Sequence, residues 1–149
     1  MSTYTQIIYH LVFSTRDRQP VLNFDKHEDL FRYIWGVINN RNGHLFRING
    51  TADHLHILTT LHPAQALSDF IKDIKLASSS WIKENKVFAD FGGWQKGYGA
   101  FTHSVHDKTN LIEYIKSQKE HHRVRTFKEE LIDLLNKAGI EYDPKYLDE

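Results

Sequence analysis

The order of apolar and polar positions along the chain divides it into a short series of strands and helices. Residues 3–14 carry Tyr4, Ile7, Ile8, Tyr9, Leu11, Val12 and Phe13 in an alternating, β-branched and aromatic pattern that predicts a long central strand. After a polar loop, Leu30, Phe31, Ile34, Val37 and Ile38 recur at helical spacing, predicting a helix from about residue 25 to 41 that Asn42-Gly43 ends. Residues 45–49 and 54–61 read as two strands of a hairpin around Gly50-Thr51-Ala52. Pro63 opens a second helix, whose apolar positions Ala66, Leu67, Phe70, Ile71, Ile74, Ala77, Trp81 and Ile82 hold the helical period. A glycine- and aromatic-rich loop over 91–99 leads into a strand over 98–104. A third helix spans about 108–122, capped by Asp107 or Thr109, and a fourth spans 126–138, stopped by Gly139. The tail from 142 is expected to be extended.

That order predicts one α+β domain over residues 1–149: a mainly antiparallel sheet with helices packed on one face, a ferredoxin-like (RRM-like) arrangement. No repeat or linker divides it. The chain has no cysteine, which removes thiol nucleophiles, thiolate metal sites and disulfide scaffolds. Without a long apolar run or a basic-then-apolar start, no membrane span or signal segment is expected, and the chain reads as cytoplasmic.

Charge changes the picture only when it is split along the chain. The 19 basic and 19 acidic residues cancel. Residues 126–149, an acidic C-terminal helix and tail, hold three basic and seven acidic groups, so the first 125 residues carry +4 against a segment of −4. Six of the ten histidines fall in three close pairs, His54 and His56, His103 and His106, and His121 and His122.

Two stretches carry candidate chemistry. In Asp53-His54-Leu55-His56, side chains two apart on a strand share a face, so both imidazoles project together and make half of a site for a divalent cation. The same pattern also suits two polar residues on a solvated strand face. In Tyr114-Ile115-Lys116-Ser117-Gln118, spacing of four puts a phenol and a carboxamide on one helical face. A tyrosine can act as a covalent nucleophile and an amide oxygen can bind a cation, although a tyrosine beside Leu111, Ile112 and Ile115 also fits plain packing.

Together, in order and separation, Asp53-His54-Leu55-His56, Trp94-x-x-Gly97-Tyr98-Gly99 and Tyr114-x-x-x-Gln118 resemble the HUH single-tyrosine transposases of the insertion-sequence-200-like family. The resemblance covers most of residues 1–125 and stops before the acidic segment. It implies a metal-dependent transposase, a single-strand DNA endonuclease and ligase working at hairpin-marked ends through a 5′-phosphotyrosine intermediate. Carried over residue by residue, Tyr114 is the nucleophile, and His54, His56 and Gln118 hold Mg²⁺ or Mn²⁺. His122 is placed first as a phosphate-contacting or solvent residue and second as a ligand. Lys116, Lys119, His121 and His122 are the residues near enough in sequence to assist the phenol.

The resemblance further implies a homodimer with a sheet extended across both chains, and leaves open which chain's Tyr114 serves which histidine pair. Single-stranded hairpin DNA is the implied partner, with Arg16, Arg18, Lys72, Lys75, Lys83, Lys86 and Lys96 as DNA-binding candidates. The alternative reading is a non-catalytic or domesticated protein that binds or processes hairpin DNA.

Overall fold

The structure, a computed structural model, describes residues 2–122 and 124–147, without the side chain of His122. Four strands form one antiparallel sheet in the order β2-β3-β1-β4: β1 Ile8–Ser14, β2 Leu45–Gly50, β3 His54–Thr59 and β4 Gly99–His103. The central strand is shorter than its pattern predicts, because residues 3–7 lie exposed and find no ladder partner. Tight passage from β2 to β3 depends on Gly50, where a Cβ would stand 2.3 Å from the His54 carbonyl oxygen.

Alternation sorts the sheet into two faces. On one face Leu11, Phe13, Leu55 and Ile57 are fully buried against helices α1 His27–Asn40 and α2 Leu67–Asn85 through Leu30, Ile34, Phe70 and Ile74. This is the helix-covered face that the periodicity of the chain predicts. The other face carries Ile8, His10, Val12, His54, His56, Leu58 and Phe101, which oppose one another in the ladder: His10 with Leu58 and Phe101, Val12 with His56.

Shorter C-terminal helices cover this second face. Ile115 of α3 Lys108–Lys116 packs on Ile8 and Leu58, with Leu111, Ile112 and Tyr114 beside it. Phe127 of α5 Phe127–Lys137 packs on Val12 and Phe101, backed by Leu131, Leu134 and Leu135. Helix α5 of the acidic segment is therefore part of the core.

Two local differences from the sequence reading have clear causes. The expected third helix is two helices, α3 and α4 Gln118–His122, broken at Ser117. Asn49 of β2 donates from Nδ2 to the Ile115 and Lys116 carbonyl oxygens, each at 3.0 Å, and so satisfies the end of α3 from outside. Lys119 Nζ ties α4 to the same place by donating to Asn49 Oδ1 at 2.9 Å. The expected extended tail contains a 3₁₀ turn at Pro144–Tyr146, with Lys145 N donating to Asp143 Oδ1.

Helix α5 starts with a capping box: Thr126 Oγ1 accepts from Glu129 N, and the Glu129 carboxylate accepts from Thr126 N, both at 3.2 Å. Replacing Thr126 with Ala is expected to lower stability by about 1 kcal/mol, read as a shifted urea midpoint at unchanged slope. An unaltered midpoint would show that α5 is held by its apolar face alone.

Candidate metal and tyrosine site

Each of the four residues singled out in the sequence reaches one small volume on the second sheet face. His54 and His56 stand side by side on β3, both fully buried, with ring centroids 5.1 Å apart. Tyr114 comes down from the last turn of α3, its ring 5.9 Å from that of His56. Gln118 is the first residue of α4, and the break at Ser117 turns its side chain inward, where Oε1 lies 3.3 Å from His54 Nε2. All four belong to one chain.

At the centre stands a residue that the sequence reading passed over. Glu130, on α5, is 2% exposed. Its Oε1 lies 3.1 Å from His54 Nε2 and 2.9 Å from His56 Nε2. Its Oε2 accepts the Tyr114 hydroxyl and, at 3.0 Å, the Gln118 Nε2 amide. Arg125 closes the rim, donating from Nη2 to the Tyr114 oxygen at 3.2 Å, with the same nitrogen 3.7 Å from Glu130 Oε2.

Both histidines are gripped from behind. His54 Nδ1 donates to Asp53 Oδ1 at 2.7 Å, and Thr51 Oγ1 donates to that same carboxylate oxygen at 2.9 Å. This carboxylate–histidine pairing directs Nε2 at the centre, the usual way a ligating imidazole is oriented. His56 Nδ1 pairs with His10 Nε2 at 2.8 Å, from the neighbouring strand.

The electrostatics follow from burial and these contacts. For His54, desolvation favours the neutral ring, but hydrogen bonds to Asp53 and Glu130 outweigh it and hold its pKa above the usual imidazole value. Burial pushes His56 down, and burial together with the neighbouring His56 and His103 pushes His10 well down. Glu130 is buried too, which alone would raise its pKa, yet the two histidines and the Tyr114 hydroxyl hold it far below the carboxylate range. Tyr114 is pushed above its ordinary value, first by desolvation and then by the adjacent Glu130 charge.

The donor set suits a divalent cation. His54, His56 and Glu130 each direct a ligand atom at a common centre, and the Gln118 oxygen faces the same place. Separations of 2.9, 3.1 and 3.3 Å match the edge of about 3 Å expected between neighbouring ligands around an octahedral ion with bonds of about 2.1 Å. Mixed imidazole and oxygen donors fit Mn²⁺ more comfortably than Mg²⁺. In the hydrogen bonds to Glu130, Nε2 of each histidine donates to the carboxylate oxygen.

The remaining candidates are spread more widely. Lys72, Lys83 and Lys86 are exposed on or just beyond α2, in the layer on the far side of the sheet from Tyr114. Lys75 is engaged internally: Nζ donates to the Gln95 and Gly97 carbonyl oxygens and lies 5.2 Å from the Phe13 ring centroid, and burial lowers its pKa to about 8. Arg18 donates to the Leu147 carbonyl and covers the Phe127 ring, so it braces α5 and the tail. Arg16 and Lys96 share an open groove of about 570 Å³ with Trp94 and Tyr146. Of the residues considered as helpers for the phenol, His121 has its ring 5.0 Å from that of Tyr114, while Lys119 is committed to Asn49 and Gly50. Lys116 pairs with Glu113 at 3.6 Å, and the side chain of His122 lies outside the described residues.

Glu130 did leave a signal in the sequence. Phe127, Leu131 and Leu134 form the apolar stripe of α5, and Glu130 falls three residues after the first and four before the last, on the stripe itself. A carboxylate on a buried stripe needs a partner.

Fold and sequence together define a transposase. The sequence model described as "Transposase IS200 like" matches residues 3–118, and the chain belongs to that family. Among characterised proteins it is similar to the ISDra2 transposase TnpA of Deinococcus radiodurans, with 26% identity over 125 residues, covering 77% of this chain and 86% of that one. Among solved structures it resembles a candidate transposase from Deinococcus radiodurans R1, with a TM-score of 0.61 at 24% identity over 79% of this chain and 95% of the other. It also resembles a REP-associated tyrosine transposase bound to a REP hairpin, with a TM-score of 0.60 at 18% identity, covering 82% and 74% of the two chains. The family match ends at Gln118, so Arg125 and Glu130 lie beyond it.

Adding Mn²⁺ is expected to stabilise the wild type, by roughly 2.7 kcal/mol at a hundredfold excess over the dissociation constant. His56→Ala should lose that thermal shift. The shift should also shrink in acid, because protons compete for the imidazole lone pairs. Equal shifts in wild type and His56→Ala would place the ion elsewhere.

Proposed function

We propose that the protein is a metal-dependent transesterase that cleaves and rejoins single-stranded DNA at hairpin-marked ends, with Tyr114 as nucleophile. The observation that carries this reading is the convergence of Tyr114 and Gln118, from the adjoining helices α3 and α4, on His54 and His56 of β3, which lie far away in sequence. Mg²⁺ or Mn²⁺ held by His54, His56 and Gln118 would polarise the scissile phosphate as a Lewis acid.

The chain's own groups supply the rest. Tyr114 Oη forms the new bond to phosphorus, the bond from phosphorus to the 3′ oxygen breaks, and the departing oxygen takes up a proton as the phenol gives one up. The number of phosphoester bonds is unchanged. A second 3′-hydroxyl can therefore reverse the step and rejoin DNA without a nucleotide cofactor. The tyrosine ring edges an open cavity of about 300 Å³ lined by His10, His103, Asn110, Leu111 and Leu134, a route by which a strand can reach it. Arg125, beside the phenol oxygen, supplies positive charge where the phosphate would arrive.

Hairpin DNA as partner is supported by the fold shared with a neighbour described as bound to a REP hairpin. Arg16 and Lys96 in their groove, with exposed Lys72, Lys83 and Lys86, are the proposed phosphate contacts, and Lys75 and Arg18 act mainly by holding loop and tail in place. β2 and β4 end the sheet, so either offers a rim for the proposed homodimer, in which each Tyr114 would serve its own chain's histidine pair. No helix among the described residues is long and apolar enough to cross a membrane, in keeping with a proposed cytoplasmic location.

Incubating the protein with a labelled single-stranded hairpin oligonucleotide and Mn²⁺ should give a covalent adduct on a denaturing gel. Tyr114→Phe should remove it, and His56→Ala should remove it while leaving hairpin binding largely intact. An adduct of equal yield from Tyr114→Phe would overturn the tyrosine mechanism.

A further inference from the structure

We infer that Glu130 is a ligand of the metal through Oε1 and, through Oε2, the group that positions the Tyr114 hydroxyl, so that a helix outside the family-matched region completes the site. The inference rests on the proposed tyrosine reading. It begins with placement. Glu130 comes from α5, beyond the matched residues 3–118, yet its carboxylate touches all four residues that the resemblance singles out.

Geometry assigns the two oxygens different work. Oε1 stands 3.1 and 2.9 Å from the Nε2 atoms of His54 and His56, which is the spacing of neighbouring ligands in one coordination shell. It is also the only carboxylate among the described residues that joins this pair in a three-ligand group. Oε2 points the other way, accepting the Tyr114 hydroxyl and the Gln118 amide. Because that amide donates to Oε2, its own oxygen is left facing His54 and the metal locus. One rigid carboxylate thus sets the distance between nucleophile and ion.

The rival assignment is that Glu130 is a plug, an anion occupying the place of the scissile phosphate, to be withdrawn before DNA binds. Removing it with its helix would uncover Val12, Phe101 and Phe127, which are 1%, 6% and 2% exposed. A helix that closes a core in this way, with a satisfied capping box at its start, is built to stay. With His54, His56, Gln118 and Glu130 all ligating, about two of six positions would remain for phosphate oxygens and water.

The test uses full-length Glu130→Gln, which keeps volume, and Glu130→Ala, which removes the group, both checked for unchanged melting in the absence of metal. Mn²⁺ titrations followed by the electron paramagnetic resonance signal of the free ion should show binding at least about tenfold weaker in Glu130→Gln than in wild type. Covalent adduct from the hairpin oligonucleotide should fall with Glu130→Gln and vanish with Glu130→Ala. Unchanged Mn²⁺ affinity in Glu130→Gln, or an adduct yield that rises in either variant, would sink the assignment and identify a plug. If the wild type gives no adduct at all, the tyrosine reading fails on its own, and the Mn²⁺ titration still decides whether Glu130 is a ligand.

Discussion

A carboxylate taken out of water must be repaid in hydrogen bonds and opposite charge, and the buried Glu130 side chain finds both in two imidazoles, a phenol, an amide and a guanidinium. Much of the second sheet face is arranged around that requirement. Helix α5 must lie where Phe127 can cover Val12 and Phe101, because that contact delivers the carboxylate to β3. The chain turns at Ser117, and Gln118, first residue of the next helix, reaches His54 from there. Asn49 makes the turn stable by taking the carbonyl groups that the break leaves unpaired.

Rigidity in the two histidines comes from outside the site. Asp53 fixes His54 through Nδ1, and His10 fixes His56 in the same way from the adjacent strand. A coordination shell preorganised by such contacts loses little freedom when an ion arrives. The long register of β1 against β3, from Tyr9 with Thr59 to Ser14 with His54, sets which side chain of β1 can reach which histidine. A slip of one residue would send His10 to the face covered by α1 and α2 and bring Leu11 and Phe13 to the site face in its place.

Much of this was legible in the sequence because it is local. Alternation in the first strand, the periods of α1 and α2, the hairpin at Gly50 and the common face of His54 and His56 all depend on residues a few positions apart. What escaped was long-range. Glu130 lies 76 residues from His54, and an acidic residue among acidic neighbours reads as solvated until its place on the apolar stripe of α5 is noticed. The break at Ser117 was hidden for a similar reason, since its cause is Asn49 in another strand. Lys75 looked like a DNA contact, but its partners are carbonyl groups 20 and 22 residues away that only the folded loop brings near.

The cancelling charges take on a different meaning in the folded chain. Sequence alone sets a body of +4 against a segment of −4, and long-range attraction to a polyanion depends on that balance. Yet one of the segment's seven acidic groups is inside the site, where its field acts at about 3 Å on the two imidazoles, reaches the phenol as well, and is barely screened by salt. Another, Asp133, is held ionised by Lys137 and Arg125 and so keeps Arg125 turned toward Tyr114. The same negative charge that costs long-range attraction therefore favours a divalent cation next to the phenol. The exposed basic residues lie on the body, while the acidic helix sends one carboxylate into the His54–His56 site.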